Sequence, residues 1–189
     1  MLNEDNKKAI IHQVRQSHFY QWGLQYYIAG RFAWFAFLHP ITGVLFHHGI
    51  EMILKGKLLE IYSEETLEKT FRHHIYKLWN ELKKMFPNSN LKKFDSVIQR
   101  LNKWVEARYP PSKGYVMYSD FKKGHKSKMT YPKMKEQDQY RVNLEETDEL
   151  IKIIFDTIPL NPGFFKSILM KSEAKEFYYR ENEHLLKFE

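Results

Sequence analysis

The sequence predicts an all-α fold, an antiparallel up-and-down bundle of four to six helices with a lysine-rich loop or small hairpin inserted into it. Over long stretches the apolar residues recur every three or four positions, which is typical of amphipathic helices. Prolines and helix-capping residues separate these stretches by a few residues, and such short connections favour antiparallel packing. The 189 residues form one predicted domain, with its core in 5–111 and 143–187 and its insertion in 112–142.

Two long helices are predicted at the start of the chain. Apolar and aromatic residues recur through 5–38, and the glycines within this range let another helix approach closely. The range ends at His39-Pro40, where proline disfavours a helical residue before it and suits the first turn of a new helix. A second helix is therefore expected from His39 to about residue 62.

The next two predicted helices cover 64–86 and 91–105. Ser63 is suited to cap the first of them, because its hydroxyl can accept a hydrogen bond from a backbone N–H of the first turn. Pro87 ends that helix, and the double proline at 110–111 ends the next one. Both helices carry a single apolar face, so both are expected to pack into the bundle.

Helical patterning resumes after the insertion. Asn143 and Glu146 have the spacing of a capping box ahead of "TDELIKIIFDTI", and Pro159 ends this helix. A last, strongly charged helix is predicted within 172–188, where the apolar stripe is thinner than in the other helices.

The composition excludes several classes of protein. Hydrophobic residues make up 43% of the chain and aromatic residues 16%, which is too apolar for an intrinsically disordered protein. Cysteine is absent, so disulfides, thiolate metal sites and cysteine nucleophiles are excluded. The most apolar run, 26–38, is too short to cross a bilayer, and the N-terminus lacks the apolar core of a signal peptide. We therefore expect a cytoplasmic protein.

Most of the net charge of +7 lies in one segment, 111–135, which holds seven lysines against the single acid Asp120. Interleaved aromatic residues give this segment both phosphate-neutralising and stacking groups, as sequence-tolerant single-strand binding requires; a solvated basic loop is the alternative. The turn-like "KKGH" between "YVMYSDF" and "KSKMTYP" predicts a hairpin or an irregular loop. The polyanion-binding candidates are Lys113, Lys122, Lys123, Lys126, Lys128, Lys133 and Lys135.

Two amphipathic segments each carry a pair of histidines, "LFHHGIEMILKGKLL" and "RHHIYKLWNELKKMF". In a helix His47 and Glu51 share one face, and so do Glu51 and Lys55, because residues four apart are neighbours. Glu51, Lys55 and His74 are predicted to form a hydrogen-bonded polar seam between two helices, since a buried carboxylate must be paired.

A metal site is a second hypothesis for the same residues. His47 and Glu51, with His73 or His74 from the following helix, offer the nitrogen and oxygen ligands of zinc or a similar ion. No zinc motif of known spacing is present, so neither a metal nor another cofactor is expected.

Three segments of the chain carry a resemblance to a known family. "HHGIEMILKGKLL" looks like the second helix of the HEPN domains (higher eukaryotes and prokaryotes nucleotide-binding), with its Glu and Lys. "HHIYKLW" is similar to the opening of the third helix of that family, and "WVEARYPP" to the ending of the fourth. The resemblance covers about 17–111, and "NLEETDELIKIIFDTI" matches the family's later helix.

The resemblance implies a helical bundle that dimerises and acts as a binding or interaction module without catalytic activity. Its ligand would be a nucleotide or nucleic acid and its partner a nucleotidyltransferase. It also suggests a third hypothesis for the polar residues, a phosphate or nucleotide pocket that uses Lys55 and Arg108. The first helix itself favours a homodimer, because it has more large side chains than one bundle seam buries.

A HEPN-type ribonuclease is the alternative function. Ribonucleases of the family carry an Arg and a His separated by four to six residues near the start of the last helix. Here Arg31 and His39 have seven residues between them, and Arg180 and His184 have three. The resemblance therefore carries over no catalytic pair, and such an enzyme would need a non-standard Arg/His site.

Overall fold

The computed structural model describes residues 3–108, 116–120, 139–158, 160, 168–170 and 172–184. Within these residues the chain is a helical bundle with one pair of short strands, so the predicted all-α class is confirmed. In chain order the elements are α1 (Glu4–Phe35), α2 (His39–Leu58), α3 (Glu64–Thr66), a π-helical segment (Leu67–Phe71), α4 (Ile75–Met85), a 3-10 helix (Asn90–Phe94), α5 (Asp95–Asn102), a second 3-10 helix (Lys103–Arg108), β1 (Val116–Asp120), β2 (Gln139–Asn143), α6 (Leu144–Thr157) and α7 (Ser172–Tyr179).

Helices α1 and α2 form a closely packed antiparallel pair, and most residues of α2 are buried. The two backbones approach most closely at Gly23 and Gly49, where a Cβ atom added to Gly23 would lie 2.9 Å from the Gly49 carbonyl oxygen. Gly30 receives the ring of Phe46, 2.7 Å from the position of a Cβ atom. These glycines therefore set the distance between the two helices.

The break between α1 and α2 lies where proline predicts it. α2 begins at His39, with Pro40 in its first turn, although α1 already ends at Phe35. Phe37, between the two helices, has a φ of 57°, in the left-handed region that commonly terminates helices. α2 ends at Leu58, earlier than predicted, and turns follow it.

The predicted continuous helix over 64–86 is wrong in its middle. The π-helical segment that follows α3 ends at Phe71, Arg72 after it has a φ of 48°, and α4 begins only at Ile75. A continuous helix would keep His73 on its own surface, whereas the break turns this side chain toward Glu51. The break thus gives the buried carboxylate a second hydrogen-bonding partner beside Lys55.

Both predicted helix caps are confirmed. The backbone N–H of Thr66 donates to the Ser63 hydroxyl at 3.2 Å. That of Glu146 donates to the Asn143 side-chain oxygen at 2.8 Å, at the start of α6. α6 ends at Thr157, just before the proline that was expected to stop it.

The predicted helix over 91–105 consists of α5 between two 3-10 helices. Its apolar face packs into the core as expected, and the indole of Trp104 covers Gly43 of α2 so closely that no side chain fits there. The buried residues of this face include Leu91, Phe94, Ile98, Leu101 and Trp104.

The two strands pair in parallel, with Val116 opposite Gln139 and Asp120 opposite Asn143. The described partner of β1, which lies within "YVMYSDF", is β2, and the hairpin or irregular loop predicted for the insertion stays a prediction. "KSKMTYP" and the seven lysines proposed to bind polyanions lie outside the described residues.

A buried polar network ties the end of the chain to α1. Arg31 is fully buried and pairs with Asp148 of α6. It also donates to the carbonyl oxygen of Phe177 at 2.7 Å and to that of Arg180. Tyr27 donates to the other carboxylate oxygen of Asp148 at 2.5 Å. The guanidinium thus satisfies carbonyls at the C-terminal end of α7, where a cation is favoured.

One ridge of α1 is unusually apolar for an exposed surface. Ile10, Val14, Trp22 and Tyr26 lie along one ridge of the helix and are each more than a third exposed. This exposure is the feature on which the homodimer was predicted, and the homodimer stays a prediction. Among the described residues, no helix is both long enough and apolar enough to span a membrane.

Replacing Arg31 by methionine should lower the free energy of unfolding by about 3–5 kcal/mol, because Asp148 is left buried without its counter-charge. Urea unfolding followed by circular dichroism measures this change. The double variant Arg31→Met, Asp148→Leu should recover part of the loss, since an apolar pair needs no compensation.

Arg15→Met is the matched control, because Arg15 also pairs with a carboxylate, that of Glu64, but in an exposed position on the same helix. It should cost less than about 1 kcal/mol. Equal losses for Arg15→Met and Arg31→Met would contradict the role given to the buried network.

Candidate functional site

A pocket of about 650 Å³ opens between α1, α2 and the segment that links α3 to α4. Phe19 and Trp22 of α1 form an apolar wall, and Trp22 is 56% exposed. Glu51 and Lys55 of α2 line the pocket, and so does His73. The volume and the mixed lining are typical of small-molecule sites.

Glu51 is the fully buried charged group at the base of this pocket. Lys55 donates to it at 2.7 Å, His73 Nδ1 lies 3.0 and 3.2 Å from its two oxygens, and His48 Nδ1 lies 3.4 Å away. Burial raises the pKa of Glu51, but the hydrogen bonds from His48 and Lys55 and the charges of Lys55 and His73 outweigh it. The pKa therefore falls from 4.5 to about 2, and the group is a carboxylate at neutral pH.

His47 lies between the same carboxylate and α5. Its Nδ1 lies 3.0 Å from the carbonyl oxygen of Leu101, and because a carbonyl only accepts, Nδ1 carries the proton. Its Nε2 then faces Glu51 at 3.7 Å. The predicted sharing of a helix face by His47 and Glu51 is thus confirmed, and the pair is completely buried.

His73 is held in one orientation by its contact with Glu51. A carboxylate accepts hydrogen bonds, so the contact with Glu51 places a proton on Nδ1 and leaves Nε2 on the far side of the ring. The side chain is 49% exposed, although its partner is buried. His73 borders the pocket, so its imidazole can exchange a proton with a molecule bound there.

A strained turn presents this histidine. The backbone N–H of His74 donates to the carbonyl oxygen of Phe71 at 2.9 Å, which closes a β-turn with Arg72 in its second position. Arg72 has φ 48° and ψ −115°, close to the values that a type II′ turn requires there and that glycine adopts without strain. The turn also places the Arg72 side chain in the pocket lining.

The charges around the pocket are largely paired. Lys55 neutralises Glu51. The guanidinium of Arg15 contacts both carboxylate oxygens of Glu64. Glu68 acts on the same guanidinium and, after Glu64, helps to raise the pKa of Arg15. Among the described residues, Arg72 is the cation of the lining without an ion pair.

The structure brings together three of the predicted site residues, His47, Glu51 and Lys55. The prediction for His74 is wrong: this residue caps α4 and is exposed, and its neighbour His73 contacts Glu51 instead. The prediction chose His74 instead of His73 because it assumed an unbroken helix over 64–86. The side chain of Arg108 and the seven lysines lie outside the described residues, so their roles stay predictions.

The metal hypothesis finds no support among the described residues, where no group of three or more His, Cys, Asp or Glu side chains is arranged to hold an ion. The Lys55 ammonium group lies 2.7 Å from Glu51 Oε1, in the place that a cation would take. In the two spaced Arg/His pairs, the buried Arg31 is paired with Asp148, and the backbone carbonyl of Arg180 accepts a hydrogen bond from Arg31.

The sequence analysis missed the contribution of α1 and of Arg72. Arg15, His18 and Trp22 lie on one helix face at spacings of three and four residues, and all three line the pocket. A cation, an imidazole and an indole on one helix face were the pattern in the sequence that could have predicted this wall of the pocket.

Comparison with known proteins gives no further assignment, since no model of a known family, no curated protein and no solved structure matches the chain.

Glu51→Gln should lower the free energy of unfolding at pH 7 by about 3 kcal/mol, because Lys55 loses its counter-charge while still buried. The pKa of Glu51 is depressed by folding, so its stabilising effect is present above pH 4.5 and is lost as the pH falls toward 2. The gap between wild type and variant should therefore narrow by roughly 2–3 kcal/mol between pH 5 and pH 2.

Urea unfolding at several pH values measures this gap. Glu65→Gln, at an exposed carboxylate that pairs with Lys69, is the control and should change stability by less than about 0.5 kcal/mol at any pH. A gap that stays constant down to pH 2 would show that Glu51 is not held ionised by its neighbours.

Proposed function

We propose that the protein is a HEPN-like binding module whose pocket between α1, α2 and the α3–α4 link binds a nucleotide or the end of a nucleic-acid chain. The observation that carries the proposal is the placement of an exposed indole beside fixed cationic and imidazole groups in one pocket. A nucleotide has the matching parts, an aromatic base and an anionic phosphate.

The apolar wall supports the base-binding part of the proposal. Trp22 and Phe19 are on consecutive turns of α1, and Trp22 keeps more than half of its surface exposed although it borders a pocket. An exposed indole at the mouth of a pocket is a stacking surface, and stacking of a base on an aromatic side chain contributes about 1–3 kcal/mol.

The charged lining supports the phosphate-binding part. Arg72 and His73 come from one turn, and both side chains border the pocket. Lys55 adds positive potential from below, although Glu51 neutralises most of it. Arg72 and His73 add to the groups expected from the sequence, Lys55 and Arg108, and the role of Arg108 stays a prediction.

The HEPN-like part of the proposal is supported by the sequence segments together with the helical fold. The Glu and Lys of the second-helix segment are Glu51 and Lys55, and both face the pocket. We propose further that the chain forms a homodimer, that a nucleotidyltransferase is its partner, and that the lysine-rich segment adds non-specific attraction for nucleic acid.

Wild-type protein should bind adenosine monophosphate or a short single-stranded RNA, with quenching of tryptophan fluorescence as the base covers Trp22. Trp22→Leu should weaken binding by about 5- to 150-fold, the equivalent of the stacking free energy. Isothermal titration calorimetry measures the affinity without relying on fluorescence.

Phe32→Leu is the matched control, because Phe32 is an aromatic residue of the same helix, 47% exposed and outside the pocket lining. It should bind as tightly as wild type. Wild-type protein that binds neither probe at low salt would contradict the proposed function.

A ribonuclease with a non-standard site is the second candidate, and the contact between Glu51 and His73 favours it. A carboxylate that holds Nδ1–H of a histidine leaves Nε2 as a base for a substrate hydroxyl. In RNA this base would take the proton of a 2′-hydroxyl, whose oxygen attacks the adjacent phosphorus. The bond from phosphorus to the 5′-oxygen then breaks, and that oxygen takes a proton from water, leaving a 2′,3′-cyclic phosphate.

For this second candidate, the protein should cleave single-stranded RNA in the presence of a chelator and leave 2′-deoxy substrate intact. His73→Gln should abolish cleavage, whereas His74→Gln, at the exposed neighbouring histidine, should retain it. Gel analysis of end-labelled RNA measures the rate, and equal activity of the two variants would rule out His73 as the base.

A further inference from the structure

We infer that the guanidinium of Arg72 binds a phosphate ester of the ligand at the mouth of the pocket, and that the strained turn is retained to place it there. The inference rests on the proposed binding of a nucleotide or nucleic-acid end, and it adds the residue that recognises the phosphate.

The backbone of Arg72 supplies the first observation. Its φ of 48° and ψ of −115° suit glycine, and a side chain at such a position destabilises the fold. The residues on either side leave it little freedom: Phe71 is anchored in the core, and His73 is hydrogen-bonded to Glu51. Residues held in such conformations concentrate at ligand sites, where the surrounding structure maintains the strain.

The charge of Arg72 supplies the second observation, independent of the first. Every other lysine and arginine of the pocket lining has a carboxylate partner: Lys55 pairs with Glu51, and Arg15 pairs with Glu64. The charge of Glu68, the remaining acid of the lining, attracts Arg15 and helps to raise its pKa. Within the described residues, Arg72 thus keeps its full set of donors for a ligand.

The chemistry of the guanidinium defines the ligand class. Its planar fork of N–H donors matches two oxygens of a phosphate, and it stays charged at any physiological pH. A phosphate ester can come from a free nucleotide or from the 5′ end of an RNA, and the Arg72 contact is the same in both cases. The two sources are distinguished by experiment.

Two substitutions of Arg72 separate the strain from the charge. Arg72→Gly removes both, so it should raise the melting temperature by about 2–4 °C and weaken binding of adenosine monophosphate about tenfold or more. Arg72→Ala removes the charge and keeps the strained backbone, so it should weaken binding equally without the rise in melting temperature.

Glu181→Gly is the matched control, because Glu181 has a φ of 52° and lies near the C-terminal network, away from the pocket. It should raise the melting temperature without changing affinity. Adenosine, which lacks the phosphate, should bind wild type weakly and bind the Arg72 variants no worse. Comparison of adenosine monophosphate with RNA carrying a 5′-phosphate or a 5′-hydroxyl identifies the source of the phosphate.

The outcomes distinguish this inference from the proposed function. Equal binding of adenosine and adenosine monophosphate, with Arg72→Gly and Arg72→Ala unaffected, would overturn the phosphate contact and leave base binding in place. Binding of none of these probes by wild type would overturn the proposed function and the inference together. A fall in melting temperature for Arg72→Gly would refute the strain.

Discussion

A carboxylate without contact to solvent must be neutralised by its neighbours, and Glu51 imposes this condition at the meeting point of α1, α2 and α4. Lys55 supplies part of the neutralising charge from the next turn of the same helix, because residues four apart are neighbours on the helix surface. The rest comes from His73, which belongs to another segment and reaches Glu51 only because the chain leaves the helical path after α3. The π-helical segment, the positive φ of Arg72 and the pocket all lie beside this contact.

Helix α1 contributes the other wall of the pocket and is fixed near both of its ends. His12 Nε2 lies 3.0 Å from the Leu59 carbonyl oxygen, and Arg15 is paired with Glu64, so the first half of the helix is held against the end of α2. Arg31 holds the second half to α6 and α7. Between these attachments, contact of Gly23 with Gly49 brings the two backbones together one residue after Trp22. The wall that carries Trp22 is therefore rigidly placed relative to Glu51.

The sequence predicted features that depend on neighbours along the chain and missed those that depend on distant residues. The start of α2 at His39 and the caps at Ser63 and Asn143 follow from local chemistry and are confirmed. The pairing of Glu51 with Lys55 is equally local. The exchange of His74 for His73 depends on a buried charge from another helix, which periodicity does not report, because the apolar positions around the break still fit one helical stripe. The pairing of β1 with β2 is non-local in the same way.

The parallel pairing of β1 and β2 also fixes where the stretch 121–138, which holds six of the seven lysines, leaves and re-enters the described fold. Its two anchor points, the end of β1 at Asp120 and the start of β2 at Gln139, lie at opposite ends of the strand pair. Four residues of strand separate these ends, a distance of about 13 Å, whereas the ends of a hairpin loop lie side by side. The stretch therefore has a minimum length set by geometry. Shortening it to a tight turn would pull the strands out of register, and this constraint holds whether or not any of its lysines contacts a ligand.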